Sequence, residues 1–412
     1  MAVSATSERP GAYKVVKAPA GLVLLLGALT AVGPFSIDMY LPSLPALAKS
    51  FGLAPGAGQI TIAAFLAGLA IGQFFYGPAS DRWGRRGPLL FGTALFFAGS
   101  IACACAPSLP MLVLARFIQA VGGSGGMVIG RAIVRDRFDH RNAARVLSLL
   151  MIVSGLGPVL APLIGSALVN FVSWRVIFWI LSGFGLVLLV WSLIALKETR
   201  SAETEARARS ENPIRGYLAL LRSKQLIGYT LAMSFNGAAV FAYVAAAPGL
   251  LIGYYHIPPA HFGWVFSTNG AALIAMNNVN ARLLHRYTPE QILLVARPAT
   301  LVVAFALAVC AATGLGGMWA VLACLFLIIG SLGFVGANTA AAGLNVDPTR
   351  SGSVSSLMGG ANFAISSAVA AVVSSFADIG PRPMGLTIFA SIALSAAALY
   401  GLAVPNKGKA EI

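Results

Sequence analysis

Residues 77–86 read Gly77-Pro78-Ala79-Ser80-Asp81-Arg82-Trp83-Gly84-Arg85-Arg86, and they separate a pair of uncharged runs, Ile60–Tyr76 and Leu89–Ala106. A run of about 20 apolar residues is long enough to cross a bilayer as a helix. Lipid offers no partners to backbone N–H and C=O groups, so such runs must bond internally. The decapeptide is therefore a tight, basic connection between two membrane helices.

The rest of the chain extends this reading. Of 412 residues, 58% are hydrophobic and only 10% charged, against roughly 25% charged in soluble domains. The alternating segments of about 10 residues that mark a membrane barrel are absent from the sequence. Twelve spans can be drawn, at about 21–44, 59–79, 89–107, 110–133, 146–169, 175–196, 226–250, 261–283, 293–314, 318–341, 352–375 and 385–404. The expected fold is an all-α membrane protein with two pseudo-symmetric six-helix bundles, 21–196 and 225–404. A cytoplasmic segment (1–20), a charged linker (197–224) and a tail (405–412) complete it. The linker reads as solvated and is given no further role.

The net charge of +15 would suit a nucleic-acid binder, but the charges are spread over short connections with no basic domain. With the N-terminus inside, 24 of the 28 Lys and Arg fall on one side, counting Arg282, Arg286 and Arg297 together as one connection. This asymmetry is the positive-inside rule, and it places both termini in the cytoplasm. Cys103, Cys105, Cys310 and Cys324 lie inside apolar spans and read as small core residues. No metal site, cofactor or catalytic constellation is expected, and the sequence lacks a phosphate-binding Gly-x-x-x-x-Gly-Lys-Ser/Thr loop.

With twelve spans in two halves and Gly77-x-x-x-Asp81-Arg82-x-Gly84-Arg85-Arg86 between spans 2 and 3, the chain resembles the major facilitator superfamily. Three further stretches are similar to the drug–proton antiporters of its bicyclomycin/chloramphenicol-resistance branch. They are Asp38-Met-Tyr40-Leu-Pro42-Ser-Leu-Pro45, Arg116-Phe-Ile-Gln119-Ala-Val-Gly122-Gly123 and Gly157-Pro158-Val-Leu-Ala161-Pro162-Leu-Ile-Gly165. The resemblance implies a monomeric inner-membrane transporter that exports small amphipathic compounds such as antibiotics against protons by alternating access. A nutrient or metabolite carrier of the same fold is the alternative. Two departures stand out. Ala161 and Ser166 replace glycines of the usual span 5 motif, and Asn280–Tyr287, the counterpart of the basic turn, has no Asp-Arg-x-Gly core.

Asp38 is the one acid well inside a span. An ionised carboxylate there costs about 2.5–3.5 kcal/mol on insertion scales, so Asp38 is the candidate for binding the proton or the cargo. The plainer alternative is a carboxylate solvated at the outer boundary. Arg116 cannot discharge; the resemblance implies a role in proton coupling, against snorkelling to the interface. Its neighbour at i+3, Gln119, shares its face and, with Tyr40, is a candidate for substrate contact. The turn residues Gly77, Asp81, Arg82, Gly84, Arg85 and Arg86, with Asp136 as a candidate partner for Arg85, are implied to gate the cytoplasmic side. Simple topology is the competing reading. Gly157, Pro158, Pro162 and Gly165 are expected to form a hinge in span 5. The C-terminal half, with Asp347 and Asp378 at span ends, offers neutral polar faces. Because the family's spans 1, 4, 7 and 10 line the cavity, Asn236, Tyr243 and Asn338 are further substrate candidates. Helix–helix hydrogen bonding is the alternative for each. Glycines at i, i+4 and i+8 (Gly122, Gly126, Gly130) and at Gly68 and Gly72 are expected to bring helices close.

Overall fold

The structure, a computed structural model, describes residues 20–403 except 55, 139, 202–203, 207–212, 348–349 and 377–379. The terminal segments, the middle of the linker and Asp378 thus lie outside the described residues. Twelve long helices are described: α1 Ala20–Asp38, α2 Ile60–Trp83, α3 Arg86–Ala104, α4 Leu109–Arg137, α5 His140–Leu168, α6 Trp174–Ala195, α7 Lys224–Pro248, α8 Pro259–Leu283, α9 Pro289–Thr313, α10 Gly317–Leu344, α11 Ser351–Ser374 and α12 Pro381–Ala398. Eleven are apolar enough to cross a membrane on composition alone. The exception, α8, carries Asn269, Asn277, Asn278 and Asn280, which lower its hydropathy without shortening it.

Local chemistry sets the boundaries. Ser173 and Ser223 accept hydrogen bonds from the first turns of α6 and α7, and Thr288 forms a reciprocal capping box with Gln291 at the start of α9. These caps satisfy orphan N–H groups. Gly314, at φ +76°, ends α9 in the left-handed conformation that glycine adopts freely. The first span was expected to run unbroken over 21–44. Instead α1 stops at Asp38, a 3₁₀ turn covers Leu41–Ser43, and a short helix follows over Leu44–Ser50. Pro42 and Pro45 have no N–H for the carbonyls four residues earlier, so the ladder breaks just past Asp38.

The helices pack with an internal repeat. Contacts α1–α4, α1–α5, α1–α6, α2–α4, α3–α4 and α3–α6 in the first half recur as α7–α10, α7–α11, α7–α12, α8–α10, α9–α10 and α9–α12 in the second. The two bundles meet through α2–α11 and α5–α8, which exchange under the same repeat. Ser166 Oγ accepts from Gly263 N at 2.8 Å, Ser267 Oγ donates to the Val159 carbonyl at 2.7 Å, and Ser367 Oγ donates to the Ala63 carbonyl at 2.8 Å. These bonds tie the bundles together in the middle of the protein and at the end away from the described start of α1.

Gly68, Gly72, Gly122 and Gly126 bring helices close as expected, and Gly130 does not. A Cβ on Gly122 would lie 2.6 Å from the Gly92 carbonyl oxygen and 2.8 Å from the Leu95 carbonyl carbon, both rigid backbone, whereas one on Gly130 would meet only Leu26 at 3.9 Å. Overpacking typically costs about 1–3 kcal/mol and more when backbone must move. Gly122→Leu is therefore expected to abolish the monodisperse peak of detergent-extracted protein in size-exclusion chromatography, and Gly130→Ala to leave it unchanged.

Candidate functional site: a central cavity and the polar clusters around it

A cavity of about 160 Å³ lies between the bundles, lined from α1, α2, α4, α5, α7, α8, α10 and α11. Its wall is mostly apolar: Ile37, Leu69, Met127, Val240, Leu273 and Ile329, with Phe241, Phe266 and Phe363 as flat faces. The polar side chains in its lining are Asp38, Tyr243 and Asn269. Asp38 is 5% exposed, and it stands at the broken end of α1. The ion pairs found among the described residues all lie elsewhere. Tyr243 stacks on Phe266, with centroids 5.1 Å apart, and its hydroxyl accepts from Asn269 Nδ2 at 2.7 Å. A single carboxylate thus faces an aromatic chamber that holds no opposing charge.

Arg116 does not line this chamber. It is fully buried in α4, where Nη1 donates to Gln119 Oε1 at 2.6 Å and Nη2 to the Ser36 carbonyl at 2.9 Å. Gln119 passes the chain on, its Nε2 donating to Ser100 Oγ at 2.8 Å. The guanidinium lies 4.2 Å from the Phe65 ring centroid and 4.5 Å from that of Tyr40, and Tyr40 shares a 2.9 Å hydrogen bond with Thr61. Complete burial removes the snorkelling alternative. Ser36 belongs to the last turn of α1, where carbonyls lack helical partners and a cation is favoured by the helix dipole. Arg116 therefore caps the helix that carries Asp38, without touching the carboxylate.

The structure brings Tyr243 and Asp38 to the cavity but not the other substrate candidates. Tyr40 and Gln119 are occupied around Arg116. Asn338 Nδ2 donates to Asn280 Oδ1 at 2.8 Å between α10 and α8. Asn236 Nδ2 donates to the Leu332 carbonyl at 3.4 Å, and its Oδ1 accepts from Arg297 at 3.4 Å. Buried amides at lipid depth take helix–helix bonds when they find them, and these did. Asn269, one of the four asparagines along α8, is the amide that reaches the chamber. The three phenylalanines carried no signal, since an aromatic in an apolar run reads as packing.

The basic turn forms a compact network at the end of the protein near the described start of α1. Arg85, 5% exposed, donates from Nε to Asp136 Oδ2 at 2.8 Å and from Nη1 to Ser80 Oγ at 2.8 Å, and it pairs with Asp81 as well. Gly84, at φ +90°, makes the reversal, and any side chain there would also run into the Glu198 carboxylate. The linker was expected to be solvated and without a role, but its first residues complete this network. Glu198 accepts from the backbone N–H groups of Arg85 (2.8 Å) and Arg86 (3.2 Å) at the start of α3, and Arg200 donates to the Asp81 and Arg82 carbonyls at 3.1 and 2.7 Å. Arg86 reaches the Leu193 carbonyl at 3.1 Å, and the Arg82 side chain is exposed. The sequence signal for Glu198 was its place directly after span 6, among basic residues. Towards the second bundle, Gly77 faces Ser356 of α11.

Partial burial pushes the Glu198 carboxyl up, but N–H donors from Arg200, Arg85, Arg86 and Thr199 outweigh it and hold it below its ordinary value of 4.5. A lowered carboxylate stabilises above its ordinary value, and that contribution is lost as pH falls through the lowered one. Glu198→Ala is expected to speed amide exchange at residues 84–87 at neutral pH. The difference from wild type should vanish in acid below that lowered value, as read by hydrogen–deuterium exchange.

In the proposed hinge, α5 is continuous through Pro158 and Pro162. A Cβ on Gly165 would overlap the Met39 carbonyl, and one on Gly157 the Pro34 ring, so both glycines let α5 press against α1 at its break. Pro158 itself lines the cavity.

Arg297 corrects the sequence reading. Counted with the connection before span 9, it lies within α9, fully buried. The signal was present: Arg297 falls inside an otherwise uncharged run, Ile292–Thr313.

Comparison with known proteins agrees with this architecture. The Major Facilitator Superfamily matches residues 26–371. The chain belongs to the major facilitator superfamily. An uncharacterized MFS-type transporter of Bacillus subtilis, YdgK, is 33% identical over 393 residues, covering 94% of this chain and 96% of that protein. A bicyclomycin resistance protein homolog of Haemophilus influenzae is 31% identical over 396 residues, covering 93% and 96%. Among solved structures, a D-xylose-proton symporter superposes with a TM-score of 0.73 over 95% of this chain and 99% of its own, at 13% identity. At that identity the likeness concerns the major facilitator fold alone. The protein is thus a multi-pass membrane transporter.

Proposed function

We propose that this superfamily member is a proton-coupled exporter of small amphipathic compounds such as antibiotics, working by alternating access in the bacterial inner membrane. The observation that carries the reading is Asp38, the one ionisable side chain in the lining of the central cavity that carries a carboxylate. A relative named for bicyclomycin resistance that aligns over nearly the whole chain supports drugs as the cargo class. The basic residues at the end bearing the 77–86 turn favour that end as cytoplasmic, and both termini with it.

In the proposed cycle the bundles 21–196 and 225–404 rock about the cavity, with α5 as the pivot. At about 160 Å³ the cavity is smaller than the roughly 300–1,000 Å³ of sites that enclose drug-sized ligands, so loading requires the bundles to separate. Asp38 holds either a proton or the cationic group of a cargo, and Phe241, Phe266, Phe363 and Tyr243 cover its apolar body. Arg116 fixes the end of α1 on which Asp38 rides. The Arg85–Asp81–Asp136 network, with Gly84, Arg86 and Glu198, holds α2, α3 and α4 together. It presents Gly77 to α11, where the cytoplasmic side would open and close. Each proton entering moves one charge, worth about 2.3 kcal/mol per 100 mV.

The test is a susceptibility panel in an efflux-deficient bacterial host. Expression is expected to raise tolerance to at least one amphipathic antibiotic and to lower its accumulation, with an uncoupler abolishing both effects. Uncoupler-sensitive accumulation of a nutrient, with no change in tolerance to any compound, would instead establish the carrier reading.

A further inference from the structure

A second polar site lies away from the central cavity, on the flank formed by α9 and α12. Arg297 is fully buried. One nitrogen, Nη2, donates to Ser395 and, at 3.4 Å, to Asn236 Oδ1. Nε and Nη1 have no partner, and Arg297 is in none of the ion pairs among the described residues. Beside it runs a groove of about 420 Å³, bounded by Arg297, Pro298, Leu301, Ala396, Tyr400 and Gly401. Pro298, Tyr400 and Gly401 are exposed, so the groove opens on the outer face of the bundle, towards lipid. Small residues and a π-helical turn at Leu399–Ala403 keep it open, and Pro298 cannot bond the carbonyl four residues back.

We propose that this groove binds the phosphate of an anionic phospholipid, with Arg297 as its counter-charge. An unpaired cation out of water carries a penalty of several kcal/mol. Water could satisfy the three free N–H groups on those two nitrogens but not the charge. An anion with oxygens for a guanidinium fork compensates the charge and the free N–H groups together, and the medium at the mouth of the groove is lipid. Arg297 stands eight residues into α9 from Pro289, roughly 12 Å at 1.5 Å per residue, in the half of α9 nearer the basic end of the protein. Basic pockets between helices at that level suit acidic headgroups. A zwitterionic headgroup brings its own ammonium and leaves the charge uncompensated. Tyr400, at the rim, has the amphipathic ring that membrane interfaces favour.

The test uses the purified full-length protein in neutral detergent, titrated with phosphatidylglycerol, with phosphatidylcholine of the same chains, and with inorganic phosphate. Retained lipid is read by native mass spectrometry and stability by thermal melting. Phosphatidylglycerol is expected to bind at least about tenfold more tightly than phosphatidylcholine, a difference of about 1.4 kcal/mol, and to raise the melting temperature. Arg297→Gln is expected to erase that preference. Gly401→Phe, placed where a Cβ meets open space, keeps Arg297 but fills the groove, and should erase it too; it decides the question if Arg297→Gln does not fold. Equal binding of the two lipids by the wild type would overturn the proposal, as would a preference that survives Gly401→Phe. A melting shift from inorganic phosphate equal to that from phosphatidylglycerol would assign the site to a free anion and overturn it as well.

Discussion

Asp38→Asn is expected to reduce efflux driven by a proton gradient to the level of cells without the protein, at normal expression. The substitution keeps the shape of the side chain and removes only its charge and its proton. Asp38 lines the cavity and has no cation paired with it, so its charge is balanced only by what enters, a proton or a cationic cargo. Without the carboxylate, the two transitions of the cycle no longer depend on protonation, and the gradient has nothing to act on. Exchange of a neutral cargo down its own gradient needs no such dependence and should persist. Proteoliposomes separate the two: gradient-driven uptake falls at least about tenfold, the equivalent of roughly 1.4 kcal/mol, while cargo exchange stays within about twofold. Undiminished gradient-driven transport in Asp38→Asn would sink the coupling role. Loss of both activities with a lowered melting temperature would make Asp38 a structural residue.

The contrast between Asp38 and the amides shows what the sequence could carry. An acid in a span has few plain readings, so charge alone pointed to the cavity. Asn236, Asn269 and Asn338 look alike in one dimension. Which one reaches the chamber depends on the rotation of each helix about its axis, and here Asn338 found Asn280 and Asn236 found Arg297 and a carbonyl. The basic turn was legible because glycine, proline and charge punctuate a chain that otherwise lacks them. Its partners Glu198 and Arg200 were not, because over 110 residues separate them from the turn and only the packing of α6 against α3 brings them near. The twelve spans followed from composition. The break at Asp38 had its cause in view, in Pro42 and Pro45, but a hydropathy window averages over a broken ladder. Arg297 escaped for a different reason: a positive charge near a span end satisfies the topology rule whether it lies in the connection or inside the helix.

Arg116 carries the second large effect. Its guanidinium bridges Gln119 and the Ser36 carbonyl at 2.6 and 2.9 Å, between the rings of Phe65 and Tyr40. The planar fork makes both bonds at once and stacks as it does so, whereas the point charge of a lysine can do only one of these well. Arg116→Lys is therefore expected to fold but to turn over slowly. Arg116→Met leaves the buried Ser36 carbonyl without its donor, at about 1–3 kcal/mol, leaves Gln119 Oε1 with only the weak Cys103 thiol at 3.8 Å, and loses a desolvated cation–π contact worth about 2 kcal/mol. It should melt several degrees lower, with little folded protein recovered. Because Arg116 lies outside the cavity lining, cargo affinity in Arg116→Lys should stay close to wild type while the gradient-driven rate falls. That split, measured by cargo binding in detergent and uptake in proteoliposomes, distinguishes an anchor for the Asp38 helix from a cargo contact. A lysine variant with weakened binding and an unchanged maximal rate would place Arg116 at the cargo and refute the anchor. Wild-type behaviour in both assays would show that the end of α1 needs no fork to hold it.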